Sequence, residues 1–338
     1  MESDSRPDSA HAELDAFDRI LDEAEGHGSP SAPRASEERA PSTHEREHEH
    51  EHEHTHAHES TPSLSDFVER LELYRDPIAC GVLAGLGLAG LGVFVVLRRA
   101  VFVTAALTQA AGLGVALAFY AAIHRGLEIP PVLGALVASI TVAVLALGTE
   151  ARLLSREARV GIAFVMTSAL AVLVGTRIAQ EAHDVSAILF GSAVLVRPGD
   201  LVNVAAGTAL SLGLLALLHR PLAFTGFDPE GARVHALPVR ALEIAFWAVV
   251  ALEVSVATRA LGALPVFAFS VLPAAAGLAV SSGIVGALSV SMLIGGLSPA
   301  LGYVGAYLGE LPVGATQAAV VAVSTLTVLG VARARRRR

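Results

Sequence analysis

Charged residues are scarce in this chain, and aromatic residues and cysteine are scarcer. Asp, Glu, Lys and Arg make up 17% of the 338 residues, and 53% are hydrophobic. A soluble domain carries roughly 25% charge, so an ordinary soluble protein is excluded and an integral membrane protein is indicated. The single cysteine, Cys80, lies in an apolar stretch, which excludes a disulfide framework and a thiolate metal cluster. Aromatic residues reach only 5%, while Ala and Gly abound. Small residues let membrane helices approach closely, so a helical bundle is favoured over a membrane barrel. No Gly-rich phosphate loop ending in Lys and Ser/Thr occurs, so the chain does not hydrolyse ATP by that machinery. A cationic start with an apolar h-region and a small-residue cleavage site is also missing, and no removable signal peptide is expected.

What is present divides into two physical objects. The formal net charge of −8 conceals a split, with 21 acidic and 7 basic residues in 1–76 against 11 acidic and 17 basic in 77–338. Residues 1–63 are rich in Ser, Pro, Glu, Asp, Arg and His, a mixture that cannot bury enough apolar area to offset the entropy of ordering, so a disordered acidic tail is expected. Within it, Leu14, Phe17, Ile20 and Leu21 have helical spacing, which fits a transient amphipathic turn or a short docking element.

The run REHEHEHEHTHAHE spans 46–59 and belongs to a cluster of seven histidines: His44, His48, His50, His52, His54, His56 and His58. Neutral imidazole is the commonest ligand for zinc, copper and nickel. In an extended chain alternate residues share a side, so these imidazoles can converge while the carboxylates attract cations. One reading is weak, multivalent and poorly selective metal capture. The other is a low-complexity solvated tail. Residues 64–76 place Phe67, Leu71 and Tyr74 on one helical face, as an interfacial amphipathic helix entering the bilayer would.

Nine apolar segments follow, at 77–97, 101–124, 131–147, 160–178, 201–218, 239–258, 261–280, 284–308 and 313–332, each close to the ~20 residues a hydrocarbon core demands. With nine crossings the arginine clusters fall on one side: Arg98 and Arg99; Arg152, Arg156 and Arg159; Arg220, Arg233 and Arg240; and the basic terminus 333–338. Positive charge marks the cytoplasm, so the amino-terminal tail is expected outside. The fold class is an all-α membrane protein, a polytopic helical bundle.

Four stretches resemble the membrane subunits of ABC importers for zinc, manganese and iron. They are GLAGLGVFVVLRRAVFVTAALTQAAGLGVAL (87–117), ILFGSAVLVRPGDL (188–201), FDPEGARVHALPV (227–239) and LGALPVFAFSVLPAAAGLAV (261–280). The likeness runs over about 77–332, in the family's order and spacing. It implies the ABC importer permease type of bundle, zinc as the first candidate cargo, and residence in the bacterial cytoplasmic membrane. It further implies a homodimer, a cytoplasmic ATPase pair that spends the ATP, an external metal-binding protein, and no stably bound cofactor. By resemblance the third stretch is the coupling helix that meets the ATPase, with Phe227, Asp228, Pro229, Glu230, Arg233, Leu237 and Pro238 as its residues. The residues themselves agree, since Asp228 can cap a helix, Pro229 suits its first turn and Glu230 favours the positive end of its dipole.

One departure stands out. Where the family's second helix carries an Asp and, four residues on, a His, this chain has Ala105 and Gln109. Gln109, with Thr104 and Thr108, offers neutral oxygens, weaker ligands for transition metals than imidazole or carboxylate. Other path candidates are Pro273, within a segment that also holds Pro265 and is expected to kink or break, and Glu253. An unpaired charge at the depth of Glu253 costs at least ~2.5 kcal/mol, so it must face protein or water. Glu243 can reach Arg240. Glu181, His183 and Asp184, with His124 and Glu128, form either an outer vestibule for a cation or wet helix caps. The stripe GVLAGLGLAGLG (81–92) serves tight packing within the chain or dimerisation. Two rival functions remain at this point: a metal sensor or storage protein on a degenerate permease scaffold, and a motor-free secondary metal transporter.

Overall fold

The computed structural model describes residues 64–148, 154–178, 196 and 198–336. Eleven α-helices occupy them, and no strand occurs among the described residues. In chain order they are α1 (Leu64–Glu69), α2 (Leu71–Leu97), α3 (Val101–Arg125), α4 (Pro131–Leu147), α5 (Arg156–Ile178), α6 (Pro198–Phe227), α7 (Pro229–Val234), α8 (Val239–Leu261), α9 (Ala263–Val280), α10 (Ile284–Gly309) and α11 (Val313–Arg336). Eight are long and apolar enough to cross a membrane, and the shorter α4 is the ninth apolar helix. At ~1.5 Å per residue, the 17 residues of α4 reach about 26 Å, slightly less than a ~30 Å core.

Contacts along the helices fix their directions. Ser291 donates to the Ala89 carbonyl, and a side chain at Gly81 would meet Pro299, so α2 and α10 run antiparallel. Thr208 lies against Leu83 and Leu222 against Arg98, so α2 and α6 run parallel. Glu253 meets Thr208 and Arg259 meets Asp200, which makes α8 antiparallel to both. Arginines 98, 99, 156, 159, 220, 233, 240, 333 and 335 therefore gather at one end with α7, here the basic end. Helix α2 is central, packing on α6, α8, α9 and α10, while α3 packs on α4, α5, α8 and α9.

Small residues make this packing possible. A Cβ at Gly85 would collide with the backbone carbonyl of Gly295, so α2 and α10 touch backbone to backbone. The 81–92 stripe is consumed inside the chain, with Gly81 and Gly85 against α10, Gly90 against α6 and Gly92 against α9. Its packing reading holds. A single residue, Gly262, reverses the chain between α8 and α9 with φ 91° and ψ 164°, a conformation open essentially to glycine.

Two boundaries and one expected break differ from the sequence reading. The first spanning helix begins at Leu71 and continues through Pro77, so only Leu64–Glu69 stands apart as α1. The proline lies in a region where neighbouring helices cover the backbone. Helix α9 is unbroken through Pro273, and Pro265 falls in its first turn, where a missing N–H costs nothing. Helix α6 runs on through Pro221 to Phe227, well past the expected end at residue 218. At the end opposite the arginines, Phe67 stacks on Tyr74 (5.6 Å) and both rings meet Tyr307, clamping α1 to α2 and α10.

Candidate transport and coupling sites

Helix α7 projects from the basic end between α6 and α8. Its start is locally determined: the Asp228 side chain accepts from the Gly231 amide at 2.8 Å, and Pro229 occupies the first helical position. His235 closes the far end by contacting the Gly231 carbonyl at 2.9 Å and setting its ring edge-on to Phe224. Ala232 is buried beneath the helix, while Phe227 is 67% and Val234 85% exposed. Glu230 and Arg233 are exposed beside them, Pro238 is exposed, and Leu237 is half-buried. The exposed residues at this bend thus include two apolar side chains, Phe227 and Val234, along with the acid Glu230 and the base Arg233. The Asp228 carboxylate is engaged in the cap, so its role begins with shaping the helix. Replacing Asp228 with Ala should weaken α7 by about 1 kcal/mol; faster amide exchange confined to 230–235 is the expected signature.

The second candidate lies on α3. Residues 102, 105, 109, 113 and 117 recur at helical spacing, and they form its least buried face: Phe102 is 78% and Leu117 45% exposed, while Ala105 and Leu113 are nearly covered. Gln109 is the half-buried polar group midway along that face. Thr104 and Thr108 are buried. Thr108 donates to the Ala105 carbonyl at 2.8 Å, and the Thr104 hydroxyl has no hydrogen-bond partner. The three candidates therefore separate, with only Gln109 on the more open face.

Glu253 is fully buried and held by two hydroxyls of α6: Thr208 donates to Oε1 at 3.0 Å and Ser211 to Oε2 at 3.1 Å. Gly87 of α2 and Gly207 of α6 lie so close that a Cβ at either would press on the carboxyl group. Glu253 is thereby a tie between α8 and α6 against α2, a partner set no local sequence signal could reveal. Pro273 is buried in α9. Glu243 forms no ion pair with Arg240 among the described residues; its charge instead acts on Arg98. At the opposite end Asp200 pairs with Arg259 at 3.9 Å, and that guanidinium sits 5.6 Å from the Phe119 ring centroid. His124 stacks on Tyr120 at 4.3 Å, and Glu128 is exposed nearby in sequence.

Glu181, His183, Asp184 and the histidine run 44–58 lie outside the described residues. Among the described residues no group of three or more His, Cys, Asp or Glu is placed to hold a metal ion.

Known proteins complete the picture. The model of the ABC 3 transport family matches residues 70–333. An uncharacterised membrane protein of Cyanophora paradoxa is 30% identical over 260 residues, covering 75% of this chain and 84% of its own. The manganese import system permease protein ScaB of Streptococcus parasanguinis is 26% identical over 260 residues, covering 74% and 89%. Among solved structures, PsaBC from Streptococcus pneumoniae in complex with Fab has a chain that superposes with a TM-score of 0.70 at 21% identity, covering 79% of this chain and 95% of that one.

Proposed function

The chain belongs to the ABC 3 transport family, and on that premise we propose that it is the membrane-spanning subunit of an ATP-driven importer for divalent transition-metal ions. The observation that carries the reading is α7: a capped, exposed helix with an apolar tip, joining α6 to α8 at the arginine-rich end. By the charge rule that end is cytoplasmic, so α7 faces the compartment where ATP is found. A cytoplasmic ATPase pair engages α7, a second copy of the chain completes the pathway, and an external binding protein delivers the ion to the opposite face. Residence in a bacterial cytoplasmic membrane follows from the same reading.

The likeness to a manganese import permease supports manganese ahead of zinc, the first candidate from sequence, with iron also in the class. Neutral oxygen in place of imidazole and carboxylate suits a harder cation such as manganese better than zinc. ATP closes the ATPase pair, α7 is displaced with the ends of α6 and α8, and the ion passes along the half-open face of α3. The histidine-rich tail acts as an accessory collector of metal ions.

Uptake of radiolabelled manganese, zinc and iron into proteoliposomes holding the chain and its candidate ATPase tests this. ATP-dependent uptake, manganese strongest, is the expected result; uptake that persists undiminished without ATP would overturn it. Deleting residues 1–61 should leave transport intact and raise the ion concentration needed for half-maximal rate. Gln109→Ala should raise that concentration about fivefold, the equivalent of one neutral ligand worth ~1 kcal/mol.

A further inference from the structure

Arg98 follows the last residue of α2, at the start of the short turn into α3. Its guanidinium reaches in three directions. One nitrogen donates back to the Phe94 carbonyl at 3.3 Å, closing the end of its own helix. Its other terminal nitrogen, Nη2, donates across to α6, to the Leu222 carbonyl at 3.1 Å and the Thr225 hydroxyl at 3.2 Å. Thr225 in turn donates to the same Leu222 carbonyl at 3.2 Å, so its oxygen is free to accept from Arg98. The face of the guanidinium lies 4.4 Å from the centroid of the Phe246 ring on α8. One side chain thus joins α2, α6 and α8.

Its location gives this junction significance. Thr225 stands three residues before the Asp228 cap of α7, and Phe246 lies about two turns into α8, the helix that leaves α7. Arg98 therefore touches both helices that α7 connects, and touches them near α7. It belongs to α2, the helix that meets α6, α8, α9 and α10. Three bonding directions from one planar group are peculiar to arginine; lysine offers a point charge on a flexible stem and cannot bond two helices while stacking on a third. Burial pulls the guanidinium down to about 10, the Glu243 carboxylate working against that pull, so the group is cationic at neutral pH.

We propose that Arg98 is the positioning residue that transmits displacement of α7 into α2, so that movement driven at the basic end reaches the transport path instead of dissipating at the α6 and α8 ends. This deepens the reading of the chain as an ATP-driven permease and rests on it. Arg98 touches no cargo and no nucleotide. It acts through Thr225, Leu222 and Phe246.

The test compares wild type, Arg98→Met and Thr225→Val in proteoliposomes with the ATPase, measuring ions moved per ATP hydrolysed, ATPase retention and the thermal midpoint. Methionine keeps an apolar stem over Phe246 and removes the fork. Valine keeps the shape of threonine and removes its acceptor oxygen. Both variants are expected to retain the ATPase and hydrolyse ATP, while ions moved per ATP fall about tenfold in Arg98→Met and about threefold in Thr225→Val, the range typical of residues that carry coupling. Wild-type stoichiometry in both variants would overturn the proposal. So would a loss of assembly or of thermal midpoint in Arg98→Met accompanied by normal stoichiometry in Thr225→Val, since Arg98 would then only hold the fold. Failure of the wild type itself to show ATP-dependent uptake would instead sink the permease reading, and the proposal with it.

Discussion

Val234→Asp is expected to release the ATPase from the permease without unfolding either. Val234 is 85% exposed at the tip of α7, so exchanging it costs the isolated chain almost nothing. If α7 is the ATPase contact, as proposed, the same tip becomes an anchor on assembly, and a carboxylate buried there would lose its water without gaining a partner. Truncation or polarisation of a central anchor costs ~2 kcal/mol or more, about thirtyfold in Kd. Phe227, 67% exposed at the last residue of α6, just before α7, is expected to give a similar loss as Phe227→Ala. Binding of the ATPase to permease in nanodiscs gives the number directly, with the thermal midpoint as the control. Unchanged affinity in both variants would show that the motor grips elsewhere.

The second large effect concerns the fold itself. Gly85→Leu should prevent accumulation of folded protein, whereas the same exchange at Gly213 should be close to neutral. At Gly85 the first added carbon collides with the Gly295 backbone carbonyl, and a backbone cannot swing aside as a side chain can. The α2–α10 interface must open, and overpacking of ~3 kcal/mol or more spreads along the central helix. Gly213 has nothing within 4 Å of the position a Cβ would take and lies exposed on α6; helix propensity even favours leucine there by up to about 1 kcal/mol. Expression level and detergent melting of the pair provide the check. Equal behaviour would mean that α2 and α10 do not meet as closely as described.

The contrast between those two glycines marks where sequence stops being informative. In a membrane helix the lipid-facing and protein-facing sides are both apolar, so hydrophobic periodicity, which tells a soluble helix which way to turn, is nearly silent. Existence and order of the nine apolar helices were legible because length and hydropathy suffice for that. The cap of α7 was legible too, since Asp228, Pro229 and Gly231 are neighbours in sequence and their bonding is local. Distant partners were not. Glu253 stood out as a costly carboxyl group, yet its partners Thr208 and Ser211 lie more than forty residues away on another helix.

Arg98 was read as a charge that fixes orientation, and nothing near it in sequence announced Thr225 or Phe246. Glu243 was paired with Arg240 on proximity alone, and the folded chain turns its influence toward Arg98 instead. Thr104, Thr108 and Gln109 were grouped because they are close along the chain, but burial separates them. Val234 went unnoticed because an exposed valine is ordinary until the helix beneath it is known to lack a cover.

The ties between α6 and α8 have a mechanical meaning. Asp200–Arg259 joins the two helices at one end and Glu253 with Thr208 and Ser211 joins them inside. At the other end Arg98 bridges them, with α7 forming the bend. Cross-braced at three heights, this hairpin is expected to act as a beam, so that load applied at its bend would tilt it as a whole. With about 40 Å of helix between Phe227 and Asp200, a rotation of only ~5° at the bend sweeps the far end sideways by roughly 3.5 Å, more than the radius of a divalent ion. On the proposed reading, a small rotation imposed at the ATPase side would thereby become a displacement large enough to open or shut the opposite mouth.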